Sequence, residues 1–293
     1  MPYAKARDAT MLYYKDWGRG DPVVLLHGWP LSADTWDDAA LRLVEAGHRC
    51  IMPDRRGFGR SDQPWVGHDY DTYADDVAAV LDDAGIREPV TLIGFSMGGG
   101  EVARFLTKQG KGRVKKAVLV SSVVPFMLQT DDNPDGVPQS AFDQMTEDMT
   151  KDRAHFFKGF FNDFFGTGFI SQPVSDEVET DAWRQSMMAG LRPTLAAAHA
   201  FATTDFRPDI QSFNGVPTLI IHGTSDKTVP IDATGRIMAK KVPGSKLIEY
   251  DGSAHGLFAT DKQRLCDDLV AFLGDGRLRG DEREKQLQEE PAY

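Results

Sequence analysis

Cysteine and positive charge are scarce in this chain, and each shortage closes off a class of function. Only two cysteines occur in 293 residues, Cys50 and Cys266, and neither lies at metal-ligand spacing from other ligand types. Cys50 sits in a strand-like run and Cys266 in a helix-like one, so they read as two reduced core thiols. Lysine and arginine number 33 against 44 aspartates and glutamates, a net charge of −11. That balance argues against binding to nucleic acid or an anionic membrane surface, which need a basic face. No apolar run reaches the 18 or so residues of a membrane-spanning helix, and the first seven residues lack the apolar stretch of a signal peptide. A reducing cytoplasm is the expected location. Disorder is excluded as well, since 41% hydrophobic and 26% charged residues describe an ordinary globular protein.

The chain is long enough for one large core carrying an insertion. Short apolar runs at 22–26, 49–52, 89–93, 115–120, 217–221 and 246–250 alternate with helix-like segments at 34–46, 71–85, 97–109, 232–242 and 259–273. Continuous apolar strands between helices predict a mostly parallel, doubly wound α/β sheet. The alternation Met11, Tyr13, Lys15 adds an edge strand over 9–17. From about 124 to 212 the rhythm stops: no buried strand is visible, but phenylalanines crowd the segment. This predicts a helical cap over 124–212, inserted into a core made of 1–123 and 213–275. The stretch 276–293 is charged, rich in glutamine and poor in apolar residues, and reads as a disordered tail. No internal repeat is apparent.

Residues 94–98 read Gly-Phe-Ser-Met-Gly, after an apolar strand and before a helix. That is the G-x-S-x-G pattern of a nucleophile elbow, a sharp strand-to-helix turn presenting Ser96. Glycines two residues before and after are required because side chains there would clash in so tight a turn. A serine needs a base to take its proton, and chain order in this architecture runs serine, acid, histidine. Of seven histidines, His255 lies in the glycine-bounded loop between the last strand and the last helix. Asp226 lies just past the penultimate strand, where ligand chemistry gathers in open α/β sheets, and is the predicted orienting acid. Its rivals are Asp232, better read as a helix N-terminal residue, and Asp251. The oxyanion needs two backbone donors: Met97, following the nucleophile, and Trp29, in the loop after an early strand, where Gly28 permits close approach. His27 reads as structural, bonding within its loop. Pro30 forces Trp29 towards extended geometry, which would turn a carbonyl towards the acyl pocket; from the residues alone a plain turn proline is the simpler reading. The run Asp54–Asp62 lacks the ending of a phosphate loop and reads as a turn with internal ion pairs.

The stretches HGWPLSADTW, DRRGFGRSDQP, GFSMGGGEVAR, TDDNPDGVPQ, FFNDFF and IHGTSDKTVP resemble one family, the cofactor-free bacterial haloperoxidases and their aryl-esterase relatives in the α/β-hydrolase superfamily. The resemblance runs from about residue 8 to 274 and includes the cap. It implies an α/β-hydrolase fold, an eight-stranded sheet with the cap after the sixth strand, a Ser96–Asp226–His255 triad, and Trp29 and Met97 as oxyanion donors. In this family a proline after the oxyanion aromatic accompanies perhydrolysis, in which hydrogen peroxide replaces water as acceptor of the acyl group. The peracid then oxidises halide in solution, so no cofactor or metal is expected. The implied activity is hydrolysis of short-chain or aryl carboxylic esters together with peracid formation, and the implied partners are an ester or carboxylic acid, water or hydrogen peroxide. Gly28, Pro30, Phe126 and Phe161 are the residues expected along the substrate pocket. Family members often self-associate, which leaves a homo-oligomer open. The triple Gly98-Gly99-Gly100 departs from the family, which commonly has one glycine fewer. A lactonase, an amidase or a carbon–carbon hydrolase would use the same triad, and a non-catalytic receptor the same fold. Epoxide hydrolases and dehalogenases fit less well, because they carry aspartate at the elbow.

Overall fold

A computed structural model describes residues 2–168 and 171–274; the stretch read as a tail, 276–293, lies outside them. Eight strands form one sheet: β1 (Tyr3–Lys5), β2 (Met11–Gly18), β3 (Asp21–Leu26), β4 (His48–Pro53), β5 (Val90–Phe95), β6 (Val114–Val120), β7 (Thr218–Gly223) and β8 (Lys246–Tyr250). Their spatial order is β1-β2-β4-β3-β5-β6-β7-β8, antiparallel up to the β2–β4 pair and parallel from there to β8. Strands β5 and β7 are buried along their whole length, because helices cover both faces; that is why they read as continuous apolar runs.

The predicted edge strand is β2, but it is not the edge. Tyr3–Lys5 pairs outside it, Ala4 opposite Leu12. Three residues are too short to carry a visible alternation, so nothing in the sequence marks β1 as a strand.

Helices α1 (Asp37–Glu45), α2 (Tyr70–Asp83), α3 (Met97–Gln109), α7 (Gly235–Lys241), α8 (Leu257–Thr260) and α9 (Lys262–Leu273) flank the sheet. The expected helix at 34–46 opens as a 3-10 turn, Ala33–Trp36, with Ser32 accepting from the Asp34 N–H. The one at 259–273 is interrupted at Asp261 and begins two residues early, as α8. Between β6 and β7 lie α4 (Gln139–Phe165), α5 (Asp176–Met188) and α6 (Leu191–Thr203). Inside α4, Asp152 leaves helical geometry (φ −156°, ψ 86°), and its carboxylate accepts from the His155 N–H at 3.0 Å. Asp152 thus ends one helix and caps the next, the role a short acidic side chain suits best. No helix among the described residues is long and apolar enough to cross a membrane.

Both cysteines are buried and unbonded. Burial pushes the Cys50 thiol up to about 12. The charged turn after β4 has the expected internal ion pair, Arg60 to Asp54 at 2.7 Å, but Arg56 reaches outside the turn to Asp76 on α2 at 2.6 Å.

Candidate active site

The carboxyl ends of four parallel strands converge on one point: the loop after β3 brings Gly28 and Trp29, β5 runs into Ser96, β7 leads to Asp226, and β8 to His255. Ser96 has φ 53° and ψ −119°, a left-handed backbone uncommon for a side chain with a Cβ. What holds it there is the packing of strand end against helix start. A Cβ at Gly94 would overlap the Gly98 carbonyl, and one at Gly98 would overlap the carbonyl oxygen of Leu26. The two other glycines of the run are equally committed. Gly99 faces Ser122, and a Cβ at Gly100 would reach 2.7 Å from Cζ of Tyr70 and into the Phe206 ring. The Tyr70 hydroxyl donates to the Met97 carbonyl at 3.2 Å and pins that turn from outside.

His255 Nε2 lies 2.9 Å from Ser96 Oγ, and His255 Nδ1 lies 2.7 Å from Asp226 Oδ2. Asp226 Oδ1 accepts from the N–H groups of Thr228 and Val229 at 2.9 and 2.8 Å. Burial alone would raise the Asp226 carboxyl; the facing imidazoles of His255 and His222 and their hydrogen bonds outweigh it and hold the group well below the usual carboxylate range. The arrangement can therefore accept a proton at His255 while Asp226 stays ionised beside it. The rivals are elsewhere: Asp232 pairs with Arg236 at 2.8 Å, and Asp251 accepts from Thr224 at 3.3 Å.

His222 shows no sign of this role in the sequence beyond its place at the end of a strand. Its Nε2–H donates to the Val229 carbonyl at 2.9 Å and lies 3.3 Å from Asp226 Oδ2. The only available signal was its spacing, four residues before the acid.

Met97 is the first residue of α3, so its N–H has no carbonyl one turn back within the helix. The Trp29 loop closes through a Leu31 N–H to Gly28 carbonyl bond of 3.0 Å, with a cis Trp29–Pro30 peptide. A Cβ at Gly28 would stand 2.7 Å from the Phe95 ring and 3.1 Å from Ser96 Cβ, so the loop presses directly on Ser96. His27 is structural: the Arg55 N–H donates to its Nε2 at 2.9 Å, so Nδ1 carries the hydrogen and donates to the Gly28 carbonyl at 2.9 Å. Burial, with the charge of Arg55 added, holds it neutral.

A cavity of about 190 Å³ opens over Ser96, walled by Trp29, Val137, Phe142, Met145, Phe160 and Phe201 among others, with Asp163 and Lys227 at its polar side. Neither Phe126 nor Phe161 is in this wall. Phe126 lies beneath the Arg207 guanidinium, 4.9 Å away, and Phe161 is stacked between Phe157 and Phe165 in the interior. Gly28 and Pro30 are not in the wall either. On α4 the reason is helical phase: Phe157, Phe161 and Phe164 share the inward stripe, while Phe160 and Asp163, each one residue earlier than a member of that stripe, face the cavity. Phe164 meets the His255 ring edge-on at 4.9 Å, and the Gly256 N–H donates to the Phe164 carbonyl at 2.8 Å.

Comparison with known proteins places these residues in context. The model of the α/β hydrolase fold family matches residues 21–262. The chain is 42% identical over 275 residues to the non-haem chloroperoxidase CPO-A1 of Kitasatospora aureofaciens, covering 93% of this chain and 99% of that protein. It is 41% identical over 278 residues to the bifunctional esterase/perhydrolase of Acinetobacter calcoaceticus, with the same coverage. Among solved structures, the bromoperoxidase from Bacillus anthracis superimposes with a TM-score of 0.89 at 40% identity, over 93% of this chain and 99% of that one.

Proposed function

The chain belongs to the non-haem haloperoxidase family of the α/β hydrolases, and from that premise we propose that it is a serine esterase with perhydrolase activity. The relay from Ser96 through His255 to Asp226, at 2.9 and 2.7 Å, is the observation that carries this reading. His255 takes the Ser96 proton as the oxygen attacks the ester carbonyl, and Asp226 steadies the imidazolium that forms. The N–H groups of Trp29 and Met97 receive the oxyanion. His255 then protonates the departing alcohol, leaving an acyl group on Ser96.

In the second half His255 deprotonates water or hydrogen peroxide, which attacks the acyl carbonyl; Ser96 leaves as the alcohol, and a carboxylic acid or a peracid departs. A peracid released in this way oxidises halide in solution, with no redox group required on the protein. Relatives named chloroperoxidase and esterase/perhydrolase support the pairing of the two activities. The apolar cavity, closed by cap phenylalanines, suits a short or aryl acyl group. We read 124–212 as the cap and the segments on either side, to residue 275, as the hydrolase core. Buried thiols support a cytoplasmic location, and the habit of the family supports a homo-oligomer.

The test is p-nitrophenyl acetate turnover by wild type and Ser96→Ala, paired with peracetic acid formation from acetate and hydrogen peroxide. The wild type is expected to do both and the variant neither. Turnover surviving in Ser96→Ala would sink the mechanism; ester cleavage without peracid would leave a plain esterase.

A further inference from the structure

Among the described residues the most deeply buried pairing of arginine with carboxylate lies directly beneath the oxyanion loop. Arg55, just after β4, faces Glu101 on α3, with side chains 2% and 4% exposed. The contact is a two-pronged fork: Nε to Oε1 at 3.0 Å and Nη2 to Oε2 at 2.5 Å. The same Nη2 donates to the His27 carbonyl at 2.6 Å, and the Arg55 backbone N–H donates to the His27 ring at 2.9 Å. His27 in turn holds the Gly28 carbonyl. Arg55 thus grips residue 27, and through the His27 ring residue 28, on one side and helix α3 on the other. Those are the two pieces that carry the Trp29 and Met97 N–H groups, Met97 standing one helical turn before Glu101.

We propose that Arg55 and Glu101 are positioning residues that hold the two oxyanion donors in register. The inference rests on the reading of Trp29 and Met97 as those donors. Stability does not account for the pair. Burying both charges costs solvation that their attraction repays poorly, and well-packed apolar residues of similar volume often serve the fold as well or better. Geometry does account for it. Oxyanion donors act through preorganisation, and a displacement near 1 Å costs about a hundredfold in rate. A rigid planar fork tying loop to helix fixes the spacing in a way that apolar packing, which tolerates sliding, does not.

The test replaces both partners together, Arg55→Met with Glu101→Leu, so that no charge is left unpaired. The expected result is unchanged or raised resistance to urea, unchanged KM for p-nitrophenyl acetate, and kcat lowered about tenfold to a hundredfold. Affinity for phenylboronic acid, which forms a tetrahedral adduct on the serine, should fall by the same factor, while inhibition by benzoate stays constant. Glu101→Gln, isosteric and able to keep one hydrogen bond, is measured alongside and carries the test where the double variant does not fold. A folded double variant, or in its absence Glu101→Gln, with wild-type kcat and boronate affinity overturns the inference. So does a loss of kcat that merely parallels a loss of stability. If wild type binds no boronate, or Ser96→Ala binds it as well, the serine mechanism fails instead, and the two failures are told apart.

Discussion

Asp226 is approached by donors from three directions: backbone N–H groups of its own loop, His255 from the loop after β8, and His222 from the strand below. Its carboxyl titrates below the ordinary 3.8, so the ionised form stabilises the fold above that pH, and the contribution fades as pH falls towards the folded value. Asp226→Asn should therefore lower kcat by about 10⁴, through loss of the histidine's orientation. Its melting temperature should approach that of wild type as the pH is lowered from about 5 towards 2, because only the wild type loses a contribution over that range. A constant gap across that range, read by calorimetry, would show that Asp226 adds nothing pH-dependent. That Asp226 and His255 come together was legible because chain order and strand ends single out one aspartate and one histidine. His222 was not: a histidine closing an apolar strand looks like any buried core residue, and only the fold brings it to the acid.

The turn from β5 into α3 carries the strictest demand on sequence. At Gly98 a Cβ would enter the Leu26 carbonyl, which is backbone and cannot swing aside. Gly98→Ala should cost about 1–3 kcal/mol in urea unfolding and more than tenfold in activity, since relief requires α3 to back away from β3. Gly112→Ala, where nothing lies within 4 Å of the added methyl, should do neither. Equal behaviour of the two variants would refute this account of the elbow. Such a turn is readable from sequence because its glycines sit at fixed spacing around the serine, and so are continuous buried strands. The strand Tyr3–Lys5 and the break in α4 at Asp152 were hidden, the first by its brevity and the second because no proline or glycine marks it.

At the scale of the molecule, the helices between β6 and β7 are bound to the catalytic loops by specific contacts. Phe164 touches His255, while the Trp29 indole N–H donates to the Thr194 carbonyl on α6 at 3.0 Å. Phe164→Ala should remove about 3–5 kcal/mol of stability and lower kcat as well, because the emptied space lies against the base. Urea titration and turnover of one preparation measure both; unchanged kcat would show that the cap leaves the base alone. That a helical insertion follows β6 was visible in the loss of strand rhythm. Which phenylalanines face the cavity was not, because Lys158 and Asn162 mark only the exposed side of the helix and not which of its phenylalanines meets the cavity.

Trp29 belongs to both layers at once. Its main chain lies in the loop against Ser96, and its ring is surrounded by Phe157, Phe160 and Phe201 of the cap. An evolving or engineered lineage therefore cannot treat acyl preference and turnover as separate traits. A substitution that reshapes the aromatic roof for a new substrate pulls on the same tryptophan, so improvements in range arrive with changes in rate, and compensating changes will cluster around residues 27–30 rather than in the cap.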